Sequence, residues 1–429
     1  MSRLDLLVFG ATGFSGKIVV ENIIRICRDP QYSDLTWGLA GRSLEKLQAV
    51  LQELKDADTD LSSIPLLEAD VSDPGSLLAA AGRTRVLLNC TGPYTLLGAP
   101  VVRACIAART HYVDITAELH FMLQTYRSFD SAAREAGVLV VPACGFGSVP
   151  AALGLLHLEH EFQGTLHSAH CYTALDIAKR LLLPGPGKTL VHYGTWASLV
   201  HELKNYREYS RLKRETFPED VYEPALEPKR SFFHKHKGKC WFPYPGPDQD
   251  VIEMSQRHLH EHRKKPAVRC SIYTTMPAFY HLLLLIPAFM FYYHMSFLAC
   301  FRYLLMKYPR LFTLGYMSHK GPSKRNRNDT KFSFVFTGKG WTEKPKADEN
   351  KKVEPFNKTV CVKVSGVDAY ATTAVAMVLS AITVLKDQDK MPKGGVVPLG
   401  AAFFDTSLVE RLNHYGLKFE VVDEESIKF

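Results

Sequence analysis

The sequence has little of what disulfide-bonded and zinc-binding proteins need. Its nine cysteines are an odd number, are scattered along the chain, and include no Cys-x-x-Cys pair. This pattern argues against a disulfide framework or a zinc ribbon and indicates a reducing compartment. A leader peptide is not expected either, because the apolar run LDLLVFG begins at Leu4 and already resembles a β-strand.

Charge is missing from one long stretch, since no Lys, Arg, Asp or Glu lies between Arg269 and Arg302. A membrane span needs roughly 20 apolar residues. However, Pro287 lies in the middle of the stretch, and a proline inside a helix costs about 3 kcal/mol and kinks it. Each half, 273–286 and 288–301, would be only about 21 Å long as a helix, which is short of a ~30 Å hydrocarbon core.

Basic residues flank the uncharged stretch on both sides, so both ends are expected on the cytosolic side of a membrane. The sequence therefore predicts an apolar hairpin or kinked helix within 270–305 that enters one leaflet of a membrane or the single leaflet of a lipid droplet. The alternative is a helix pair that is buried inside the protein or in a homodimer.

Elsewhere the composition is that of a globular protein, with 22% charged residues and a net charge of +8. Two basic clusters stand out: Lys229, Arg230, Lys235, Lys237 and Lys239, and then Lys320, Lys324, Arg325, Arg327 and Lys331. Such clusters bind phosphates of nucleic acids or lipid head groups, or are simply solvated. No nucleic-acid-binding motif accompanies them, so a nucleic-acid partner is not predicted.

The N-terminus carries a glycine-rich loop between an apolar strand and a helix with apolar spacing. Gly10 permits the tight turn, Gly13 lets a phosphate approach the backbone, and Gly16 lets the helix pack on the strand. The helix N-terminus would face a pyrophosphate. The residues predicted to bind the cofactor here are Gly10, Ala11, Thr12, Gly13, Phe14, Ser15 and Gly16.

Strands and helices alternate through the first third of the chain. Apolar strands are predicted at 35–40, 64–69, 85–90, 111–115 and 138–142, and helices at 43–55, 75–82, 98–108 and 120–136. This alternation predicts an α/β protein with a doubly wound parallel sheet, a Rossmann domain, over residues 1–147.

The ends of the predicted strands indicate which dinucleotide binds. Where an NAD-specific site has an acid after the second strand, this chain has Arg42 and Ser43, and an arginine can grip the 2′-phosphate of NADP. Asp70 follows the third strand and could accept a hydrogen bond from the adenine amine. Asn89, Thr91 and Gly92 end the fourth strand, at the edge where ligands lie in such sheets.

The rest of the chain is predicted to form a mixed α/β domain over 148–395, which covers the nicotinamide end of the first domain and carries the apolar hairpin. KFSFVFTGKGW and KTVCVKVSG alternate like paired strands, and AYATTAVAMVLSAITVLKD resembles a buried helix. Residues 213–248 show little periodicity and are interpreted as irregular. Residues 396–429 form a C-terminal segment that could pack back on the first domain.

Several motifs occur in the order seen in saccharopine dehydrogenase-like oxidoreductases. They are VFGATGFSG, LAGRSLEKL, LLNCTGPYTLLGAPVVRACI, YVDITAE, GFGSVPAALG, YGTW, FPYPGPD, SQRHL, KGPS, AYATTAVAMV and GGVVPLGAAF, and they extend over nearly the whole chain. The resemblance implies NADP(H) as cofactor and the fold of fungal saccharopine reductase. It also implies similarity to mycobacterial trans-acting enoyl reductases of glycolipid synthesis, and an association with lipid droplets in animal members.

The chain departs from the family pattern at acidic positions. Gly147 and Ala152 stand where the family usually has aspartates, Ala117 stands where it has a glycine, and Tyr193 stands where it often has an acid. The acids retained at matching places are Asp114, Glu118 and Asp248, and His192 is a further group that could donate a proton. The candidate catalytic residues are therefore Tyr94, Asp114, Glu118 and Tyr193.

Three functions follow as hypotheses. The first is an NADPH-dependent oxidoreductase that acts on a lipid-like substrate at the surface of a lipid droplet or the cytosolic face of a membrane, with the mitochondrion as the alternative location. The second is a catalytically inactive NADP-binding droplet protein that acts as a sensor or scaffold, which the missing acids favour. The third is a saccharopine-type amino-acid dehydrogenase.

Overall fold

The protein is described from a computed structural model that covers residues 3–55, 60–183, 185, 187–228, 230–275, 279–344 and 355–429. Two seven-stranded sheets and a two-stranded ribbon organise these residues. The predicted loop between KFSFVFTGKGW and KTVCVKVSG lies largely outside them, at 345–354.

The first sheet is built by strands that alternate with helices. Its elements are β1 (Leu4–Phe9), α1 (Phe14–Ile26), β2 (Trp37–Gly41), α2 (Leu44–Leu54), β3 (Leu66–Glu68), α3 (Pro74–Ala81), β4 (Thr84–Asn89), α4 (Tyr94–Ala107), β5 (His111–Asp114), α5 (Leu119–Ala136) and β6 (Leu139–Val141). The strands pair in parallel in the order β6-β5-β4-β1-β2-β3. The predicted doubly wound sheet is confirmed, and its carboxyl edge collects the loops that follow β1, β2, β4, β5 and β6.

A second sheet holds most of the remaining chain. In chain order, this part of the protein begins with α6 (Ser148–Phe162), β7 (Thr165–Ile177), β8 (Val191–His192), α7 (Tyr193–Thr216), β9 (His234–His236), β10 (Lys239–Pro243), α8 (Asp248–Arg263) and β11 (Arg269–Thr275). Then come α9 (Phe279–Ser296), α10 (Ala299–Lys307), α11 (Pro309–Phe312), β12 (Met317–Ser318), α12 (Lys324–Asn328), β13 (Thr330–Trp341) and β14 (Lys358–Val367). The sheet order is β16-β14-β13-β7-β11-β10-β9, in which β16 (Lys418–Val422) comes from the C-terminal part of the chain.

The C-terminal part of the chain contributes to both sheets. Its elements are α13 (Ala369–Lys386), β15 (Gly395–Val396), α14 (Leu399–Ala402), α15 (Leu408–His414) and β16 (Lys418–Val422). β15 extends the first sheet by pairing in parallel with β6, and β16 pairs with β14 of the second sheet. The segment after residue 396 thus ends on the second sheet, because its apolar Phe419 packs into the shared core there.

Two predicted features of the second domain are wrong. Residues 213–248 are not irregular throughout, because they contain the end of α7 and the antiparallel pair β9–β10. Residues 270–275, the start of the predicted apolar segment, form β11 in the sheet, where Cys270 and Ile272 are buried. Short strands with little periodicity are held by their neighbours in the sheet, and such contacts cannot be read from local sequence.

Helix α9 continues through Pro287, so the turn of the predicted hairpin does not lie at that residue. The chain turns instead after Ser296, whose hydroxyl donates to the Tyr293 carbonyl at 2.7 Å and whose own carbonyl accepts from the Arg302 guanidinium at 2.7 Å. A serine hydroxyl that bonds the backbone competes with helical hydrogen bonds. A helical hairpin of α9 and α10 follows, with its bend at Phe297–Leu298.

Helix α13 lies between the two sheets and packs against α1, β4 and β5. In the part of the chain that the structure describes, α13 is the helix that is long and apolar enough to cross a membrane, and 67% of it is buried. Its Ala376, Met377, Val378 and Leu379 are fully buried. α13 is therefore the central helix of the protein core, as its sequence predicted.

Candidate cofactor and active site

The glycine loop has the close packing that its sequence predicts. Gly10 has φ +84°, and a Cβ atom there would lie 2.5 Å from the Thr91 hydroxyl oxygen. A Cβ atom at Gly16 would lie 2.2 Å from the Gly10 carbonyl oxygen. Larger residues are therefore excluded at both positions, and β1 and α1 are held together tightly.

The N-terminus of α1 is free to receive an anion. Gly13 is the N-cap residue that precedes it, no side chain caps the helix, and no acidic residue lies in its first turn. Unpaired N–H groups and the partial positive charge of the helix favour a phosphate at this position. These features fit the pyrophosphate of a dinucleotide.

The end of β2 presents Arg42 to solvent beside Asp70 at the end of β3. Asp70 accepts hydrogen bonds from the Ser72 N–H and hydroxyl at 2.8 and 2.7 Å, and these bonds, followed by the charge of Arg42, lower the pKa of its carboxyl group. Ser43 caps α2 by accepting from the Lys46 N–H. Arg42 is thus the cation in a position to bind a 2′-phosphate.

Asn89 and Asp114 belong to a buried hydrogen-bond network at the ends of β4 and β5. The Asn89 amide donates to the Tyr112 hydroxyl at 3.0 Å, and this hydroxyl donates to Asp114 Oδ2 at 2.8 Å. Asp114 Oδ1 accepts from the N–H groups of Thr116 and Ala143. Burial raises the pKa of Asp114 to about 6, and its hydrogen bonds limit the rise. Asp114 therefore joins the loops after β5 and β6.

Tyr94 and Glu118 fasten helix α4 to this network. The Tyr94 hydroxyl is buried and donates to the Asn89 carbonyl at 2.9 Å, and burial raises its pKa well above 10. Glu118 accepts from the N–H groups of Tyr94 and Thr95, which begin α4, and from the hydroxyls of Thr95 and Ser198. Both oxygens of the Glu118 carboxylate are thus occupied by donors, which stabilise a negative charge at a helix N-terminus.

Asp248, a retained family acid, lies directly against Gly147, one of the positions without the family's acid. Gly147 has φ +90°, and a Cβ atom there would lie 2.8 Å from Asp248 Oδ1. Ser148 donates to the same oxygen at 3.4 Å, and the Tyr244 hydroxyl faces the carboxyl group. Oδ2 has no hydrogen-bond partner among the described residues. Burial raises the pKa of Asp248 to about 7.

Glu202 of α7 is a further acid, which the sequence did not reveal, and its two carboxylate oxygens are shielded from water. Its carboxyl group faces the first N–H groups of α5, at Leu119 and His120, without a hydrogen bond of ordinary geometry within the described chain. Burial, together with the negative charges of Glu118 and Asp250, raises its pKa to about 8. The sequence pattern does not identify Glu202, because its shielding from water depends on the packing of α7 against α5, which lies far away in the chain.

A cover from the second domain lies over the glycine loop. The His192 ring stacks on the Phe14 ring with centroids 4.5 Å apart, and the Tyr370 ring meets Phe14 edge-on at 5.0 Å. Tyr193 follows His192 and lies 4.2 Å from the His319 ring. The predicted residues thus form two groups, a buried one with Tyr94, Asp114 and Glu118 and a half-buried one with His192 and Tyr193.

Three comparisons with known proteins agree with this geometry. Residues 6–141 match the family model of the saccharopine dehydrogenase NADP binding domain. The chain is 34% identical to a saccharopine dehydrogenase-like oxidoreductase of Rattus norvegicus, over 99% of this chain and 98% of the relative. It is 30% identical to a lipid droplet localized protein of Caenorhabditis elegans, over 99% of each chain.

A solved structure supports the fold. Saccharopine dehydrogenase (L-Glu forming) from Saccharomyces cerevisiae has a TM-score of 0.53 and 14% identity, over 97% of this chain and 99% of that one. The glycine loop, the uncapped α1 and the exposed Arg42 fit NADP(H), the cofactor of the matched domain. Because its sequence is 34% identical to such a relative over nearly the full length, the chain belongs to the saccharopine dehydrogenase-like oxidoreductases. It binds NADP(H).

Proposed function

We propose that this protein is an NADPH-dependent oxidoreductase that acts on a lipid-like substrate at the surface of a lipid droplet or the cytosolic face of a membrane. When bound, NADPH supplies a hydride to an unsaturated or carbonyl carbon. The chain's own residues hold the cofactor, exclude water and provide a proton. The observation that carries the proposal is a large exposed apolar surface that is attached to the cover of the cofactor site.

This surface, the apolar face, belongs to α9, α10, α11 and the turn after them. Its large side chains are between 38% and 71% exposed. They are Ile286, Phe289, Met290, Phe291, Phe297, Leu298, Tyr303, Leu304, Tyr308, Leu311 and Leu314. Full burial of such a side chain would contribute about 1.5–3 kcal/mol of favourable free energy. A nonpolar partner that covers the apolar face is therefore expected.

The charges around the apolar face suit a phospholipid surface. Residues 262–328 contain no Asp or Glu, whereas Arg302, Lys307 and Arg310 lie within or beside the apolar face. Anionic head groups attract basic residues next to an apolar helix face. The aromatic side chains of the face suit the region between head groups and acyl chains.

Helix α7 links the apolar face to the cofactor domain. The Trp196 indole N–H donates to the Leu305 carbonyl of α10 at 2.9 Å, and its ring meets Tyr292 of α9 edge-on at 5.4 Å. Two residues later, Ser198 donates to Glu118 of the first domain at 2.6 Å. A lipid held at the apolar face would therefore lie next to the helix that begins with Tyr193.

Tyr193 is the residue to which we assign proton donation. Among the candidate catalytic residues, Tyr94, Asp114 and Glu118 are engaged in the buried network, whereas Tyr193 is half-buried at the start of α7. Burial raises the pKa of its hydroxyl group, which is therefore protonated at neutral pH. A group that keeps its proton until the reaction can act as a general acid.

The test is NADPH consumption by the full chain with dispersed neutral and polar lipid extract, with saccharopine, or without addition. Consumption with lipid that falls at least about 100-fold in Tyr193→Phe supports the proposal, since general acids contribute roughly 100- to 10,000-fold. Lys46→Gln, an exposed change in α2, is the matched control. Consumption with saccharopine alone would instead identify the amino-acid dehydrogenase.

A non-catalytic NADP-binding droplet protein is the second candidate. The observation that favours it is the replacement of two family acids by Gly147 and the buried Ala152. Tight NADPH binding without consumption in any substrate mixture would support this sensor or scaffold role. Fluorescence imaging of the tagged full chain would separate droplets from mitochondria, and light scattering would detect a homodimer.

A further inference from the structure

A turn of the second domain, Ser318–Gly321, lies directly on the glycine loop. The Gly321 N–H donates to the Ser318 carbonyl and hydroxyl oxygens, each at 3.2 Å, and Gly321 has φ +71°. A Cβ atom at Gly321 would lie 2.7 Å from the Phe14 ring and 3.0 Å from the His192 ring. The turn therefore needs glycine at this position in order to approach the loop.

The turn is held in this position by regular structure. β12 enters it and pairs in parallel with β8, with Ser318 opposite His192. The His192 N–H donates to the Tyr370 hydroxyl at 2.8 Å, and both rings rest on Phe14. Phe14 is the first residue of α1 after Gly13, so the turn lies beside the uncapped helix N-terminus.

Lys320 brings a free positive charge to this place. It is exposed, and no ion pair engages its ammonium group among the residues that the structure describes. Two of the basic residues that follow are paired with acids, since Lys324 pairs with Glu21 at 2.9 Å and Arg327 pairs with Asp368 at 3.4 Å. An unpaired lysine beside a helix N-terminus would strengthen a phosphate site.

We infer that Lys320 binds the diphosphate of the dinucleotide from the second domain, so that the bound cofactor joins both domains. The ammonium group would donate to the phosphate oxygens, while the α1 N–H groups hold them from the other side. The diphosphate is common to NADPH and NADH, whereas the 2′-phosphate is not. Lys320 should therefore add affinity for both cofactors, and Arg42 for NADPH alone. This inference rests on the cofactor site and does not require turnover.

The experiment is a fluorescence titration of full-length protein with NADPH and with NADH, for the natural chain and for Lys320→Ala, Arg42→Ala and Lys324→Ala. Lys320→Ala should weaken the binding of both cofactors by about tenfold, the loss expected for one charge-assisted hydrogen bond. In 1 M NaCl the loss should shrink, because salt screens exposed charges. Arg42→Ala should weaken NADPH binding only.

Lys324→Ala is the matched control, because it removes an equal charge four residues away that is already paired with Glu21. It should change neither affinity by more than about twofold. Unchanged binding in Lys320→Ala, a loss for NADPH alone, or an equal loss in Lys324→Ala would each overturn the inference. If the natural chain bound neither cofactor, both this inference and the proposed oxidoreductase would fail. If it bound them without consuming NADPH, only the proposed reaction would fail.

Discussion

Two apolar helices of 18 residues each, α9 and α13, lie in opposite environments. α13 is enclosed between the two sheets and keeps Val378, Leu379 and Ala381 fully buried. α9 presents Ile286 and Phe289, each 50% exposed, to the outside. Length and apolar composition therefore do not decide whether a helix belongs to a core or to a surface that meets lipid.

The kind of apolar residue differs between the two helices. α13 is rich in Ala, Thr and Val, and its small side chains allow α1 and the strands of the first sheet to approach closely. α9 carries Phe, Tyr, Met and Leu, and Tyr292 and Tyr293 bond to the rest of the protein through their hydroxyls. Small residues favour close packing, whereas bulky aromatic residues suit an interface with lipid.

The largest test of this comparison introduces a charge into each helix. Ala381→Asp should cost more than about 4 kcal/mol of unfolding free energy, because an unpaired charge would be buried. Phe289→Asp should change that free energy by less than about 1 kcal/mol, since the side chain is exposed, but should abolish binding to anionic vesicles. Urea unfolding and vesicle flotation measure the two effects. A stability loss of similar size in both variants would show that α9 is a core helix.

The second test concerns a buried acid near the core. The apolar face contains no acidic residue. The pKa of Asp248 is about 7 in the folded protein and roughly 3.9 when unfolded, so its ionisation opposes folding. The loss of unfolding free energy caused by this ionisation is absent below about pH 4. It grows as the pH rises to about 7 and is complete above that. As the pH rises from 4 to 8, the unfolding free energy of Asp248→Asn should therefore increase by about 2–4 kcal/mol relative to that of the natural chain.

Urea unfolding at several pH values checks this result, and the contribution of Glu202 cancels because it is present in both proteins. A stability difference between the two proteins that does not vary with pH would contradict the assignment of a raised pKa to Asp248.

The smallest test concerns the basic residues beside the apolar face. Lys307 lies over the rings of Tyr303 and Tyr308, at 5.3 and 5.5 Å. Lys307→Gln should weaken binding to anionic vesicles by about fivefold, since a basic residue near such a surface contributes about 1 kcal/mol. Binding to vesicles of neutral lipid should not change, and Lys46→Gln should have no effect on either. Equal losses on both kinds of vesicle would show that Lys307 acts through structure rather than through charge.

Local patterns predicted the first domain well and the second domain in part. The glycine loop, Arg42 and the strands of the parallel sheet follow from spacing and apolar runs, because each buried parallel strand is apolar on both faces. The strands β9 and β10 were missed, because pairing with distant β11 stabilises them. The turn after α9 was not predicted from Pro287, since hydrogen bonds of Ser296 and Arg302 hold it nine residues or more later in the chain.

The candidate site could also be predicted only in part, because local patterns identify its residues but not their contacts. Asp114 and Glu118 could be identified as acids at strand ends, but their roles depend on donors from elsewhere, such as Ala143 for Asp114 and Ser198 for Glu118. The absence of an acid at Gly147 was visible in the sequence. That the Asp248 carboxyl group occupies the same space, 101 positions later in the chain, was not.

The sequence by itself determined the dinucleotide fold, the NADP-type loop and the presence of an uncharged, strongly apolar segment. These depend on periodicity, on glycine spacing and on the kind of residue at each strand end, all of which are local. Only the tertiary structure decided which apolar helix is buried, which acids keep their protons, and that Ser318–Gly321 covers Phe14. Burial and desolvation depend on neighbours that are distant in the chain, and no local pattern contains them.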